Sequence, residues 1–231
     1  MKNTINYLFY IFLATVLISC NNNKLTSQKK NILLIVADDM GFADLGSFGS
    51  DIHTPNIDSI AMDGIRFSNF HSAPSCAPSR ASLLTGTDNH TAGVGSQFNR
   101  IESQWGYEGF LSDRVVPIPQ LLSLNGYNTY MVGKWHLGTK GDYLPHQKGF
   151  DRSFILEEGG GNHYNSIGFE ERGSTYRIDG ESIPWPKGAY STDIYTDSLI
   201  NFIKNDKRKE APFFAYAAYT SPHWPLQVHE D

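Results

Sequence analysis

Apolar residues along this chain fall into short runs whose periodicity changes from one run to the next. Residues 7–18 are almost continuously apolar, too short for a comfortable membrane span and the length of a signal-peptide core. Residues 31–37, Asn-Ile-Leu-Leu-Ile-Val-Ala, form an unbroken β-rich run, which predicts a strand covered on both faces. Thr54-Pro55 starts a short helix that runs to about Met62 and is stopped by Asp63-Gly64. Residues 65–70 alternate between apolar and polar and predict a strand, while residues 79–84 read as a helix. A helix over 119–124, closed by Asn125-Gly126, precedes a buried strand at 129–132. Ser191 or Thr192 caps a helix whose apolar positions Tyr195, Leu199, Phe202 and Ile203 recur at spacings of three and four. Pro212 then introduces a strand over 213–219. Residues 141–188 are long, loop-rich and resist assignment; a segment of that kind is functional or poorly ordered. Strands alternating with helices predict the α/β class with a largely parallel central sheet.

The chain of 231 residues is long enough for one large α/β domain with a substantial core. Its formal charge of −5 is spread along the sequence, so no nucleic-acid footprint is visible, and Lys207-Arg208-Lys209 reads as a solvated helix end. At the other end Lys2 supplies a weak positive charge, the apolar run follows, and it closes in Leu17-Ile18-Ser19-Cys20. That ending resembles a bacterial lipobox. The resemblance implies a lipoprotein signal peptide at 1–19, acylation of Cys20, a polar tether at 20–30 and stable attachment to a membrane surface. It implies export to the periplasm or cell surface, and Asn21 after the cysteine favours the outer membrane. The chain has only two cysteines, so lipidation of Cys20 leaves Cys76 alone in an oxidising compartment. Cys76 is then either a buried inert thiol or a residue that does not remain a cysteine.

Chemistry-bearing residues gather at predicted strand ends. Asp38-Asp39 closes the strand at 31–37, at the edge where open α/β sheets place ligands, although such pairs also serve as caps and turn formers. Gly133-Lys134-Trp135-His136 follows the strand at 129–132, where Lys134 and His136 alternate to one side and Trp135 to the other. It is no P-loop, because no upstream glycine stands at the required spacing and no Ser or Thr follows the lysine. Ser221-Pro222-His223-Trp224-Pro225 lies just past the last strand. A helix beginning near Ser79 would aim its free N–H groups and positive end at an anion beside Cys76, and Arg80 would add a planar cation.

Cys76-Ala77-Pro78-Ser79-Arg80, continuing through Leu83-Leu84-Thr85-Gly86, resembles the signature of the formylglycine-dependent sulfatases, in which a maturation enzyme oxidises the cysteine to formylglycine. The likeness runs from about Asn31 onward and is strongest to bacterial arylsulfatases. It implies an alkaline-phosphatase-like α/β fold, with helices on both faces of a largely parallel central sheet. It implies a sulfuric ester hydrolase acting on aryl or alkyl sulfates, with Cys76, Arg80, Lys134, His136 and His223 catalytic. Asp38, Asp39 and the residue-76 oxygen would ligate calcium (Ca2+). His90 and His163 line the substrate mouth or simply pack in loops, and Asp63, Asp151, Glu157 and Glu158 have no evident partner. Family members continue well beyond this length and add an Asp-Asn calcium pair and another lysine. The resemblance therefore implies that 31–231 is the N-terminal part of a catalytic domain, incomplete because the C-terminal part is absent. An open sheet edge, weak calcium binding and inactivity of the chain as written follow as expectations. A phosphonate or phosphate monoester hydrolase on the same scaffold, and a non-catalytic lipoprotein that binds sulfated glycans, are the competing readings.

Overall fold

The computed structural model describes residues 29–98, 101–139, 141–169 and 173–229. The signal-peptide and Cys20 readings lie outside the described residues. Asn31–Asp231 forms one unit. Its strands are β1 (Ile32–Val36), β2 (Asn128–Lys134), β3 (Arg152–Leu156), β4 (Tyr176–Ile178), β5 (Glu181–Ile183) and β6 (Phe213–Ala218). They form one sheet in the order β1-β6-β2-β3-β4-β5. The pairs β1–β6, β6–β2 and β2–β3 are parallel, whereas β3–β4 and β4–β5 are antiparallel. Parallel pairing demands crossovers: the helices α1 (Pro55–Asp63), α2 (Cys76–Thr85) and α3 (Ile118–Leu124) lie between β1 and β2, two short 3-10 turns between β2 and β3, and α4 (Ser191–Asn205) between β5 and β6.

The two-residue period of the central strands sorts their side chains between two cores. Met131, Phe214, Tyr216 and Ala218 join Ala77, Ala81 and Leu84 of α2 on one face. Tyr130, Val132, Ala215 and Ala217 join Tyr195, Leu199 and Phe202 of α4 on the other. Every residue of β2 is buried, so the sheet has helices on both faces as expected. At Gly133 the chain takes φ 91°, and a Cβ there would collide with the carbonyl of Ala218. Glycine is thus what lets β2 approach β6 just before Lys134.

Four expectations need correcting. The run at 31–37 does form a strand, but β1 is not covered on both faces: it lies at an open sheet edge of the kind the resemblance implies, with Leu33 and Ile35 each 54% exposed. An apolar run reports a capacity for burial on both faces; what covers those faces depends on the rest of the fold. Residues 65–70 form no strand, since alternation needs a partner edge to pair with and Ile65, Phe67 and Phe70 stand exposed. The helix expected from 79 begins at Cys76. Proline fits a first helical turn because its missing N–H has no intrahelical acceptor there, so Pro78 belongs inside the helix. Finally, the unassigned segment 141–188 contains β3 and the β4–β5 hairpin. The hairpin turns on Asp179-Gly180, both at positive φ, a pair that is itself a strong hairpin signal.

Candidate active site

Because β1, β6, β2 and β3 run parallel, their carboxyl ends meet along one edge, and the chain leaves each end carrying a polar side chain. Asp38 and Asp39 follow β1, Lys134 and His136 end β2, Glu157 and Glu158 follow β3, and His223 lies beyond β6. Asp39 (φ 62°) and His136 (φ 59°) are non-glycine residues in the left-handed region, where a side chain is tolerated only if its surroundings hold it. A Cβ on Gly159 would stand 2.6 Å from Cε1 of His136, so glycine at 159 admits the imidazole.

Asp38 is the anchor of the cluster. Lys134 Nζ donates to its Oδ2 at 2.6 Å, and Arg80 Nη2 faces its Oδ1 at 3.1 Å. Arg80 Nη1 also donates to the carbonyl of Lys134 at 2.9 Å and approaches the Tyr216 hydroxyl at 3.4 Å. All three ionic side chains are withdrawn from solvent. Burial works against the Arg80 charge, yet Tyr216 and Asp38 more than offset it and hold its pKa above the ordinary value.

Cys76 opens α2, after Ser75 in extended conformation, and the first-turn N–H groups have no intrahelical acceptor. Its Sγ lies 3.3 Å from Gln97 Oε1. Ligand atoms of Asp38, Asp39 and Cys76 lie within 4.8 Å of one another, the metal-competent group among the described residues. Two carboxylates are the right kind of donor for calcium, though three positions fall short of the ~6–8 oxygens it takes. His223 Nε2 stands 3.6 Å from Asp39 Oδ2, and its Nδ1 lies 2.5 Å from the carbonyl of Trp224. A carbonyl only accepts, so Nδ1 carries the hydrogen and Nε2 is the nitrogen left to hold or give a proton.

Two adjoining cavities open on Cys76. The larger, about 880 Å³, is lined by Cys76, Gln97, Phe98, His136, Glu157, Glu158, Phe169, His223 and Trp224 among others. The smaller, about 530 Å³, adds Asp39, Asn89 and His90. The structure thus brings Cys76, Asp38, Asp39, Arg80 and Lys134 into one cluster and puts His136 and His223 on the cavity wall beside it. Lys134 and His136 do not both face the cavity: the lysine ends on Asp38 behind the wall.

His90 lines the smaller cavity and sits 3.4 Å from Asp88. His163 is buried, with Nδ1 2.5 Å from Ser191 Oγ. Burial pushes its pKa below the usual histidine value, against the carbonyls of His223 and Pro225, which favour its charged form. It therefore braces the His223 loop instead of lining the mouth. Three of the four acidic residues without evident partners, all but Asp63, acquire structural ones. Asp151 accepts from Thr129 N–H and from Arg208, Glu157 pairs with Arg177 at 2.5 Å, and Glu158 accepts the Thr175 N–H. Gln97, Phe98 and Phe169 escape a reading of the sequence because no motif contains them. Only exposed aromatics in long loops could have signalled the last two.

Comparison with known proteins supplies independent findings. The family model described as Sulfatase matches residues 30–231. An uncharacterised sulfatase of Schizosaccharomyces pombe is 44% identical over 222 residues, covering 89% of this chain and 40% of the relative. An arylsulfatase of Klebsiella aerogenes is 39% identical over 210 residues, covering 88% and 45%. Among solved structures, Ps i-CgsB superposes with a TM-score of 0.75 at 36% identity, covering 88% of this chain and 47% of that one. The chain spans less than half the length of each of these three proteins.

Proposed function

The chain belongs to the sulfatase family, and on that premise we propose that its site hydrolyses aryl or alkyl sulfate esters with residue 76 as the nucleophile. One observation carries the reading. Cys76, in the first turn of α2, shares a cavity wall with His136 and His223, next to a carboxylate pair whose inner member is held by Arg80 and Lys134.

Oxidised to formylglycine by a maturation enzyme, residue 76 supplies a hydrated aldehyde with one hydroxyl to attack sulfur and a second whose deprotonation expels sulfate. Asp38, Asp39 and the residue-76 oxygen would hold calcium, which would supply positive charge against the sulfate oxygens. The rest falls to the chain's own side chains. The α2 N-terminus offers N–H groups and a positive dipole end to the anion. Arg80 and Lys134 pin both oxygens of Asp38, so this carboxylate cannot rotate away, and they leave net positive charge behind it. His223, with Nε2 as the exchangeable site, protonates the leaving oxygen, and His136 on the same wall holds or moves the nucleophile's proton.

A direct comparison of 4-nitrophenyl sulfate with 4-nitrophenyl phosphate and a phenylphosphonate ester, made on a full-length enzyme that carries the C-terminal part, tests the reading. The sulfate should be turned over with kcat/KM on the order of 10²-fold or more above the others, and with loss of rate on chelation of calcium. A phosphate or phosphonate ester turned over faster would instead assign the site to the monoesterases of the same scaffold.

Export and acylation at Cys20 belong to the same reading, supported by the apolar stretch at 7–18 ending in Ser19-Cys20. No helix among the described residues is long and apolar enough to cross a membrane. Labelled fatty acid fed to the producing cells should appear on the protein and vanish in Cys20→Ala; label surviving that substitution refutes the anchor.

A further inference from the structure

Phe169 and Trp224 stack with ring centroids 5.0 Å apart and 20° between their planes, and the Phe169 ring also lies 5.7 Å from that of His223. Both are well exposed, Phe169 at 49% and Trp224 at 64%. Each lines the 880 Å³ cavity that holds Cys76 and His223, and Phe98, 83% exposed, lines it too. An exposed stacked pair contributes nothing to either core, and large aromatic surface left in water at a cavity mouth marks a place for a ligand. The chain makes room for this arrangement: a Cβ on Gly160 would collide with the Phe169 ring and stand 3.1 Å from Cε1 of His223.

The position says what the ligand is. A sulfate beside Cys76 with its leaving oxygen toward His223 directs the organic group onto the rings that abut His223. What these rings offer is flat π surface, which rewards another flat ring in offset or tilted contact.

Resting on the sulfatase reading, we propose that Phe169 and Trp224 form a stacking platform that selects esters with an uncharged aromatic leaving group. The platform is a binding element: it places the aryl ring, and so the ester oxygen, within reach of His223.

Binding in the Cys76→Ala background, where no turnover intervenes, tests this by calorimetric titration with 2-naphthyl sulfate, cyclohexyl sulfate and inorganic sulfate. Phe169→Leu and Trp224→Leu, combined, should weaken 2-naphthyl sulfate about ten-fold or more, weaken cyclohexyl sulfate less, and leave inorganic sulfate unchanged. Both side chains are exposed, so circular dichroism should show the fold intact. Unchanged naphthyl sulfate affinity overturns the proposal. So does an equal loss for inorganic sulfate, which would place the effect at the anion site, or an equal loss for cyclohexyl sulfate, which would remove the preference for flat rings. Failure of the hydrolase reading looks different: a full-length enzyme with Cys76 intact would not turn over 2-naphthyl sulfate, while the platform-dependent affinity persisted.

Discussion

Cys76→Ser is expected to lower steady-state turnover of an aryl sulfate on the order of 10³-fold or more, with one equivalent of phenol released rapidly before the enzyme stalls. Serine keeps a single hydroxyl in the first turn of α2, facing the same cavity and the same cations, so attack on sulfur remains feasible. Under the proposed mechanism it lacks the second hydroxyl on the same carbon, whose deprotonation would reform a carbonyl and expel sulfate. The serine sulfate ester must instead wait for water. Cys76→Ala separates the two steps, because it should show neither burst nor turnover. Rapid-mixing measurement of phenol release checks both variants. Mass spectrometry of the peptide containing residue 76 shows whether the unsubstituted protein has exchanged its thiol for an aldehyde. Turnover by Cys76→Ser near the unsubstituted rate would remove residue 76 from the nucleophile's role.

Asp38→Asn should destabilise the fold by about 3–5 kcal/mol, an effect on stability independent of metal or substrate. The carboxylate is 5% exposed and faces two cations, Lys134 at 0% and Arg80 at 3%. Burying three charges is costly, and two of them share one counter-ion. Neutralising Asp38 leaves both cations in a low-dielectric interior with no negative partner, the case in which removing one member costs most. Lys134→Met provides the contrast. It leaves Arg80 and Asp38 as a one-to-one pair and replaces a buried ammonium by an apolar chain of similar length, so its cost should be well below that of Asp38→Asn. Urea unfolding in the presence of a chelator checks the order, since the chelator removes any contribution from lost metal. Equal losses, or a loss under 1 kcal/mol for Asp38→Asn, would mean that the three charges do not act as a unit.

The elements that were legible are those whose signal is local. The helix α4 follows from Tyr195, Leu199 and Phe202 at helical spacing, and the central strands β2 and β6 from apolar runs bounded by Gly126 and Pro212. Strands β4 and β5, of three residues each, are too short to show a period and are held by pairing to β3. The same division runs through the site. Asp38, Asp39, Cys76, Arg80, Lys134, His136 and His223 could be picked out because they stand in motifs or at strand ends. Nothing in the motifs says that Lys134 turns to Asp38 while His136, two residues on, takes the cavity wall. That outcome depends on Gly133 bringing β2 against β6 and on the left-handed backbone at His136.

The amino-acid sequence by itself determined the α/β class, the Cys-x-Pro-x-Arg segment and the kinds of side chain at the carboxyl edge of the sheet. All of these are properties of residue type and spacing within a dozen positions or fewer. Only the tertiary structure decided that β1 is the strand at the open edge, that Asp38 is clamped by a lysine 96 residues away, and that Phe169 and Trp224 meet over His223. Such contacts join segments that share no local pattern. They exist because parallel strands return to one edge and packing there chooses which side chains touch.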